Sequence, residues 1–440
     1  MRTVVLDVHK RFAEVAVHER GVVRRLGRIE TRELAAFAGS LGPDDHVVLE
    51  SMAVTWAIAE LFARHAGRVT VSNPMRTKAI ASAKVKTDKV EAKVLAQLGA
   101  ADFLPAVWAP DPETRALGRR VSHRAGLVRQ RTRVRNQVHA VLVWNLLEVP
   151  VSDLFGLGGR RWLAEVALPA HEREQVESNL RLHDALEGEV KLVDRQLAKR
   201  ALQDTDVRRL MTIPGVGPIT ALSLVAVIGE VGRFPSSQQL VGYFGLDPRV
   251  RQSGDRPAWT GHISRAGQAH ARGLLIEAAH QAARTPGPLR AFHARLKARR
   301  GSQIAACATA RKLAVLSWHI LTKNEDYRYN APTLLQAKLR RLQLQAGEDG
   351  PTISLAGAPK RRELERRLLE EAERNYRAQI ANEKRRGRPT GEATLTGPRR
   401  ANDARQAQSS PQPALLDGDH PRQEDPNPNR LTFSSALLPR

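Results

Sequence analysis

Four acids and one serine are the residues of this chain whose types and settings suit phosphoryl chemistry. Asp7 interrupts the apolar run Val4-Val5-Leu6-Asp7-Val8, and Glu50 ends Val47-Val48-Leu49-Glu50. An acid among apolar strand neighbours is costly unless its charge is compensated, and a bound divalent cation would compensate it. Asp88 and Glu91 stand at i and i+3 where a helical pattern opens, so their side chains share one face. Two-metal phosphoryl transfer needs such a cluster, with the ions clamping the attacking and leaving oxygens. Each acid also has a plainer reading. On their own, Asp88 and Glu91 fit more readily as a helix N-cap and its returning N3 partner. Asp7 and Glu50 could be strand-end residues facing solvent, and what shifts the balance is the joint occurrence of the acids on strand one, strand four and the later helix, elements that converge in one fold. Asp44 and Asp45 sit in the turn Gly42-Pro43-Asp44-Asp45 and need no function.

Ser253, in Arg251-Gln252-Ser253-Gly254-Asp255, lies on a polar loop beside a glycine, where its hydroxyl is expected to be exposed. A lone Ser-Gly is weak as chemistry, because ordinary loop serines are far commoner. Ser236 and Ser237 follow Pro235 in a helix-capping setting and are reserve candidates. Arg265 and Arg272, in and after Gly261-His262-Ile263-Ser264-Arg265-Ala266-Gly267, could take charge on phosphate oxygens in a pentacoordinate state. Upstream, Ile213-Pro214-Gly215-Val216-Gly217-Pro218 has the form of a helix-hairpin-helix turn. Gly215 and Gly217 would let backbone N–H groups approach a phosphate, and a plain inter-helix turn is the alternative.

The elements that must position these residues follow from the patterning. Residues 3–8, 12–17 and 22–29 form a three-strand antiparallel meander. A helix over 31–41, a strand over 46–49, a helix over 54–66, a strand over 68–72 and a helix opening near Thr87 come next. Three antiparallel strands followed by β-α-β-α make an α/β domain with a mixed sheet, the order of the ribonuclease-H-like fold. Its crossovers place strand one beside the strand ending at Glu50.

Residues 112–147 are helical and carry Arg115, Arg119, Arg120, Arg124, Arg129, Arg131, Arg133 and Arg135 against almost no acid. One-sign crowding is repulsive, which favours a nucleic-acid-facing helix over a merely solvated one. Leu186, Val190, Val193 and Leu197 form a short coiled-coil stripe that suits a second protomer or an intramolecular hairpin equally. An all-helical unit follows over 205–323, then a charged helix over 360–388. From 391 the chain is rich in Pro, Gln, Asn and Asp and is expected to be a disordered tail. The expected domains are therefore 1–110, a basic helix and coiled-coil linker over 111–205, an all-α domain over 206–325, and a charged helix with disordered tail over 326–440.

The 440 residues carry a formal charge of +24 and a pI near 11.0, which points to a polyanionic partner. Much of the excess is Arg, whose planar fork suits phosphate. The single cysteine, Cys307, excludes an internal disulfide and a cysteine-based zinc site, and reads as a small core residue. No signal-like N-terminus or long uncharged apolar stretch stands out, so a cytoplasmic protein with no membrane partner is expected.

These residues resemble the four-acid (DEDD-type) insertion-sequence transposases, the bridge-RNA-guided serine recombinases, which include the pilin-gene invertases. The resemblance spans residues 1 to about 325 and rests on motifs in family order. They are Leu6-Asp7-Val8-His9-Lys10, Leu49-Glu50-Ser51-Met52, Val71-Ser72-Asn73-Pro74 and Lys86-Thr87-Asp88-Lys89-Val90-Glu91-Ala92, then the Ile213–Pro218 turn, Gly245-Leu246-x-Pro248, Ser253-Gly254 and Ile263-Ser264-Arg265-x-Gly267. It implies an N-terminal resolvase-like domain binding Mg²⁺ (or Mn²⁺) through Asp7, Glu50, Asp88 and Glu91. It implies Ser253 as the nucleophile that forms a phosphoserine link to DNA, at element ends and target. It also implies a homodimer assembling to a tetramer, with acids and serine meeting across protomers, and a structured guide RNA from the element's flank. Glu91 replaces the usual aspartate and reaches one methylene farther, and Gln268 stands where the family has asparagine. Two rival functions share the same residues. A junction-resolving nuclease using water would need the acids and be indifferent to Ser253, and a non-catalytic nucleic-acid-binding remnant would need only the basic helix.

Overall fold

The computed structural model describes residues 2–52, 54–80, 88–254, 258–347 and 357–385, and the chain divides into two compact units at Asp111. The first unit runs β1 (Arg2–Val8), β2 (Phe12–Glu19), β3 (Val22–Glu30), α1 (Leu34–Gly39), β4 (Asp45–Glu50), α2 (Thr55–Phe62), β5 (Arg68–Ser72), α3 (Pro74–Ile80) and α4 (Asp88–Ala100). Its sheet has the order β3-β2-β1-β4-β5, antiparallel through β1 and parallel from β1 to β5. Strand one does lie beside the strand ending in Glu50, as expected. Parallel neighbours require crossovers, and α1 and α2 supply them.

The near-continuous apolar runs of β1 and β4 are explained by burial on both faces. Val4, Leu6, Val47, Leu49, Val69 and Val71 pack with Leu34 and Phe62 on one face, while Val5 and Val48 meet Leu95 and Ala96 of α4 on the other. Burying each large side chain contributes roughly 1.5–3 kcal/mol. The edge strand β3 is largely exposed and carries Arg24, Arg25 and Arg28, charges that discourage further strand pairing. Asp45 is not a turn residue but the first residue of β4. It is buried, accepts the Gly42 amide at 2.8 Å and pairs with Arg2 at 2.6 Å.

The second unit contains α5 (Pro112–Trp144), α6 (Leu157–Glu165), α7 (Ala170–Gln203), α8 (Thr205–Leu210), α9 (Pro218–Ile228), α10 (Ser237–Tyr243), β6 (Pro248–Arg251), β7 (Trp259–Ile263), α11 (Ala269–Ala282), α12 (Pro288–Arg300), α13 (Ser302–Lys323), α14 (Pro332–Ala346) and α15 (Ala358–Arg385). Three expectations change here. The region over 206–325 is not all-α, because β6 and β7 pair as an antiparallel ribbon. Most of its residues are exposed, so no apolar alternation betrays the strands in the sequence.

The stripe of α7 is intramolecular: Val190, Val193 and Leu197 are buried, and α7 packs along α5 and α14. The span 111–205 is accordingly no separate linker, since Leu117, Val121 and Leu197 share one core with Leu210, Leu222 and Leu313. Finally, α14 and α15 belong to that core through Leu342, Ala346, Tyr376 and Ile380. The expected tail beyond Arg385 lies outside the described residues. Among the described residues α13 alone is long and apolar enough to cross a membrane. It is two-thirds buried, against α8, α10, α11 and α12.

Candidate functional site

In the first unit, Asp7 and Glu50 come together by strand register. Leu6 pairs with Leu49 across parallel β1 and β4, so Asp7 and Glu50, one residue farther on, are neighbours at the carboxyl ends of both strands. Adjacent strands lie about 4.8 Å apart, and in-register residues point to the same face. That face is the one α4 crosses, because Val5 and Val48, two residues back, are the side chains that meet α4. The loop after Glu50 is tied down locally: the Thr55 hydroxyl donates to the Glu50 carbonyl at 3.1 Å and accepts the Met52 amide at 2.6 Å. Asp7 is 7% exposed, and His9 Nε2 lies 3.4 Å from its carboxylate.

The orientation of α4 brings its first turn to this level. A Cβ on Gly99 would sit 3.0 Å from Val48 and 3.1 Å from Thr3, so the end of α4 lies at the start of β1. Near its start, Ala92 and Lys93 line a cavity with Glu14, which pairs with Asp7 across β2 and β1. Thr3 to Asp7 spans about 13 Å of strand, the rise of about nine helical residues. Counting back from Gly99 reaches the turn that carries Asp88 and Glu91. The side chains of these two residues lie outside those described, and no group of three or more potential ligands gathers among the described residues.

Glu14 is an acid that the sequence reading passed over. It is 2% exposed and directly opposite Asp7, but Arg25 and Arg28 of β3 both reach it at 2.6 Å. The Arg28 and Arg25 guanidinium groups hold its carboxyl below the usual range against the opposing effect of burial. The alternation of Glu14 with Ala13 and Val15 in β2 was the available signal. The Asn-Pro after β5 has a structural role, since Asn73 Oδ1 accepts the Met75 and Arg76 amides at 3.1 and 3.3 Å and so caps α3.

In the second unit, Ser253 is exposed at the far end of the β6–β7 ribbon, beside Gly254 at φ +56°. The ribbon also presents Arg251, paired with Trp259 across the strands. Trp259 is 60% exposed, and its ring lies over Gly261, where a Cβ would come within 2.5 Å of it. An open indole beside arginine suits stacking on a nucleobase. Neither residue was singled out from the sequence.

The base of the ribbon is built by the two glycine motifs interlocking. The Ser264 amide and hydroxyl donate to the Asp247 carbonyl and carboxylate at 2.8 and 2.5 Å, and the Arg265 amide donates to the Gly245 carbonyl at 3.2 Å. Gly245 (φ +67°) and Gly267 (φ +88°) let the two segments touch. A Cβ would lie 2.1 Å from the Ala266 carbonyl oxygen in one case and 2.2 Å from that of Tyr243 in the other. Arg272 donates to the Phe244 carbonyl at 3.1 Å. Arg265 and Arg272 therefore belong to the base of the ribbon, and Ser253 lies beyond the roughly 10 Å length of β6. Within one chain the two arginines thus stand at the opposite end of the ribbon from Ser253, with the Arg265 side chain exposed.

The basic helix α5 divides its arginines. Arg124 makes a bidentate pair with Asp194 of α7, Arg131 pairs with Glu187, and Arg135 stacks 4.4 Å over Phe155. Arg119, Arg120, Arg129 and Arg133 are exposed, with no ion-pair partner among the described residues. Partial burial and the charges of Arg129 and Arg124 hold His270, at the start of α11, below its ordinary range. The Ile213–Pro218 turn has a packing explanation. Gly215 (φ +84°) would place a Cβ 2.2 Å from the Ala278 carbonyl oxygen of α11, and Ile213 and Val216 are fully buried. Gly217 precedes α9 with open space around it.

With both halves described, the similarity to known proteins is decisive. A DEDD transposase model of the IS110 type matches residues 4–144, and one described as "Transposase IS116/IS110/IS902 family" matches residues 207–294. The chain belongs to the IS110/IS116/IS902 family of DEDD transposases. The first match ends at the end of α5, and α14 and α15 lie beyond both.

Among relatives of this transposase, the IS1328 transposase of Yersinia enterocolitica is 27% identical over 309 residues, 68% of this chain and 89% of the relative. The IS1111A transposase of Coxiella burnetii is 36% identical over 143 residues, 31% of this chain and 39% of the relative. The pilin gene-inverting protein of Moraxella lacunata is 28% identical over 240 residues, 52% of this chain and 65% of the relative.

Proposed function

We propose that this transposase exchanges DNA strands through a carboxylate-held divalent metal and a covalent link to Ser253, guided by a structured RNA from its element. The observation that carries the reading is the side-by-side placement of Asp7 and Glu50 at the ends of adjacent parallel strands, on the face crossed by α4. Two carboxylates so close repel one another unless a cation lies between them. The oxygen-only donor set suits a hard ion, Mg²⁺ or Mn²⁺, and a ribonuclease-H-like assignment of the sheet agrees with it. Asp88 and Glu91 would complete the set from the first turn of α4. When bound, the ion polarises a phosphodiester oxygen and eases attack at phosphorus.

The remaining chemistry belongs to the chain's own residues. Ser253 Oγ forms a bond to phosphorus as the bond from phosphorus to the departing DNA oxygen breaks, and the serine proton ends on that DNA hydroxyl. The phosphodiester energy is kept in the serine ester, and a new DNA hydroxyl can displace the protein. Exposure of Ser253 on a projecting ribbon, with Arg251 and Trp259 beside it, supports a hydroxyl presented to DNA. The exposed arginines of α5 supply sequence-independent backbone affinity. Homodimers pairing into a tetramer, with element-end and target DNA bound together, complete the reading.

The test is to react the full chain with element-end DNA and Mg²⁺, denature, and map DNA-linked peptides. The adduct is expected on the peptide containing Ser253. It should vanish in Ser253→Ala and in Asp7→Asn, with DNA binding retained in both. Cleavage by Ser253→Ala at the wild-type rate would transfer the case to a nuclease that uses water.

A further inference from the structure

The end of α11 and the helices α12, α14 and α15 surround an open cavity of about 550 Å³, lined by Arg284, Arg290, Thr333, Arg362, Glu365 and Arg366, among others. Its charge balance follows from the ion pairs. Glu365 is committed to the first turn of α14, where it accepts the Thr333 amide at 3.1 Å and the Thr333 hydroxyl at 2.5 Å. Arg290 is taken by Glu373 at 2.7 Å, and Arg366 by Glu370 at 3.0 Å. Glu373 is buried and also accepts from Arg377 and the Gly287 amide, so it is fully engaged. Arg284, in the turn after α11, and Arg362 of α15 remain, both exposed and with no ion-pair partner among the described residues. Two uncompensated guanidinium groups lining one open cavity repel each other, and an anion between them removes that penalty.

We propose that this cavity is a phosphate-binding groove for a nucleic-acid backbone. It is separate in its residues from the acids and from Ser253. Arg284 and Arg290 lie within the family-matched span and Arg362 lies beyond it, so the groove exists only because α14 and α15 dock on the family domain. The guanidinium fork matches a phosphodiester in two-point geometry. The groove is open, and its walls mix arginines with apolar side chains such as Leu334 and Leu369, which suits a continuous strand better than an enclosed small ligand. DNA and RNA share this chemistry, and the experiment separates them.

The full chain carrying Arg284→Ala with Arg362→Ala is compared with wild type by fluorescence anisotropy. The two probes are duplex element-end DNA and the structured RNA transcribed from the element's flank. Loss of two phosphate contacts lowers the slope of log affinity against log salt by about 1.8 for a duplex and about 1.4 for single strands. Between about 50 and 200 mM salt the wild-type advantage on DNA should therefore shrink about twelvefold. Arg299→Ala with Arg300→Ala, exposed at the end of α12, removes the same charge away from the cavity lining and is expected to change the slope less. Arg284→Lys with Arg362→Lys keeps both charges and should restore the slope. A drop with DNA alone, RNA alone or both supports the groove and names its occupant. A drop no larger than that of the Arg299/Arg300 control, with either probe, overturns it.

Discussion

Replacing Lys338 by methionine measures how far α14 buttresses the glycine turn of the family domain. The Lys338 ammonium donates to the carbonyl oxygens of Met211 and Val216 at 2.7 and 2.8 Å. Burial lowers its pKa from the ordinary 10.5 to about 8. Between these two values the unfolded chain holds more protons than the folded one, so stability contributed by this site rises with pH through that window. Below about pH 8 the buried charge costs about 3 kcal/mol, the gap of about 2.5 pH units at 1.36 kcal/mol each, and the cost is gone above about pH 10.5.

Lys338→Met removes that cost and also both hydrogen bonds, worth about 1.5–3 kcal/mol each when the donor is charged. The net effect at pH 7 is a difference of two similar quantities, but the pH dependence is not. Urea unfolding of both full-length proteins, followed by helical circular dichroism, should show wild type gaining about 2 kcal/mol on the variant between about pH 7 and pH 9.5. Other titrating groups are common to the two proteins and cancel. A difference that stays constant across that range would refute the burial of a charged amine under the turn.

The arginines of α5 should separate into two classes. Alanine at Arg119, Arg120 and Arg133 together should lower the salt slope of duplex binding by up to about 2.7 with little change in stability. Arg124→Ala should instead destabilise the α5–α7 hairpin, by about 3–5 kcal/mol if the half-buried Asp194 is left without its partner. At the ribbon base, Gly245→Ala places a side chain at φ +67° and 2.1 Å from a carbonyl oxygen, and should cost at least about 2 kcal/mol in urea unfolding. Gly242→Ala, three residues away in α10 with open space around it, is the matched control and should be neutral or slightly stabilising.

The individual strands, the acids at their ends and the long basic helix were legible in the sequence because each is a local pattern. A valine run interrupted by one acid specifies both a strand and the place in it where charge must be compensated, and Asp7 and Glu50 needed only the β1–β4 pairing to become neighbours. What tertiary structure alone decided is which charges stay available. Arg124 and Arg131 look like Arg119 and Arg133 in the sequence, but a helix about 60 residues away brings Asp194 and Glu187 to the first pair and nothing described to the second. Glu14 opposes Asp7 and is nevertheless neutralised by Arg25 and Arg28. The ribbon that carries Ser253 escaped notice because an exposed two-stranded element has no buried face to impose alternation. Gly215 is a glycine by type in the sequence, and only the packing of α11 shows that a side chain there would meet the Ala278 carbonyl. Periodicity records which residues must be buried. The partner of a charge or of a bare backbone is set by segments distant in the chain, and one chain's local pattern holds no record of them.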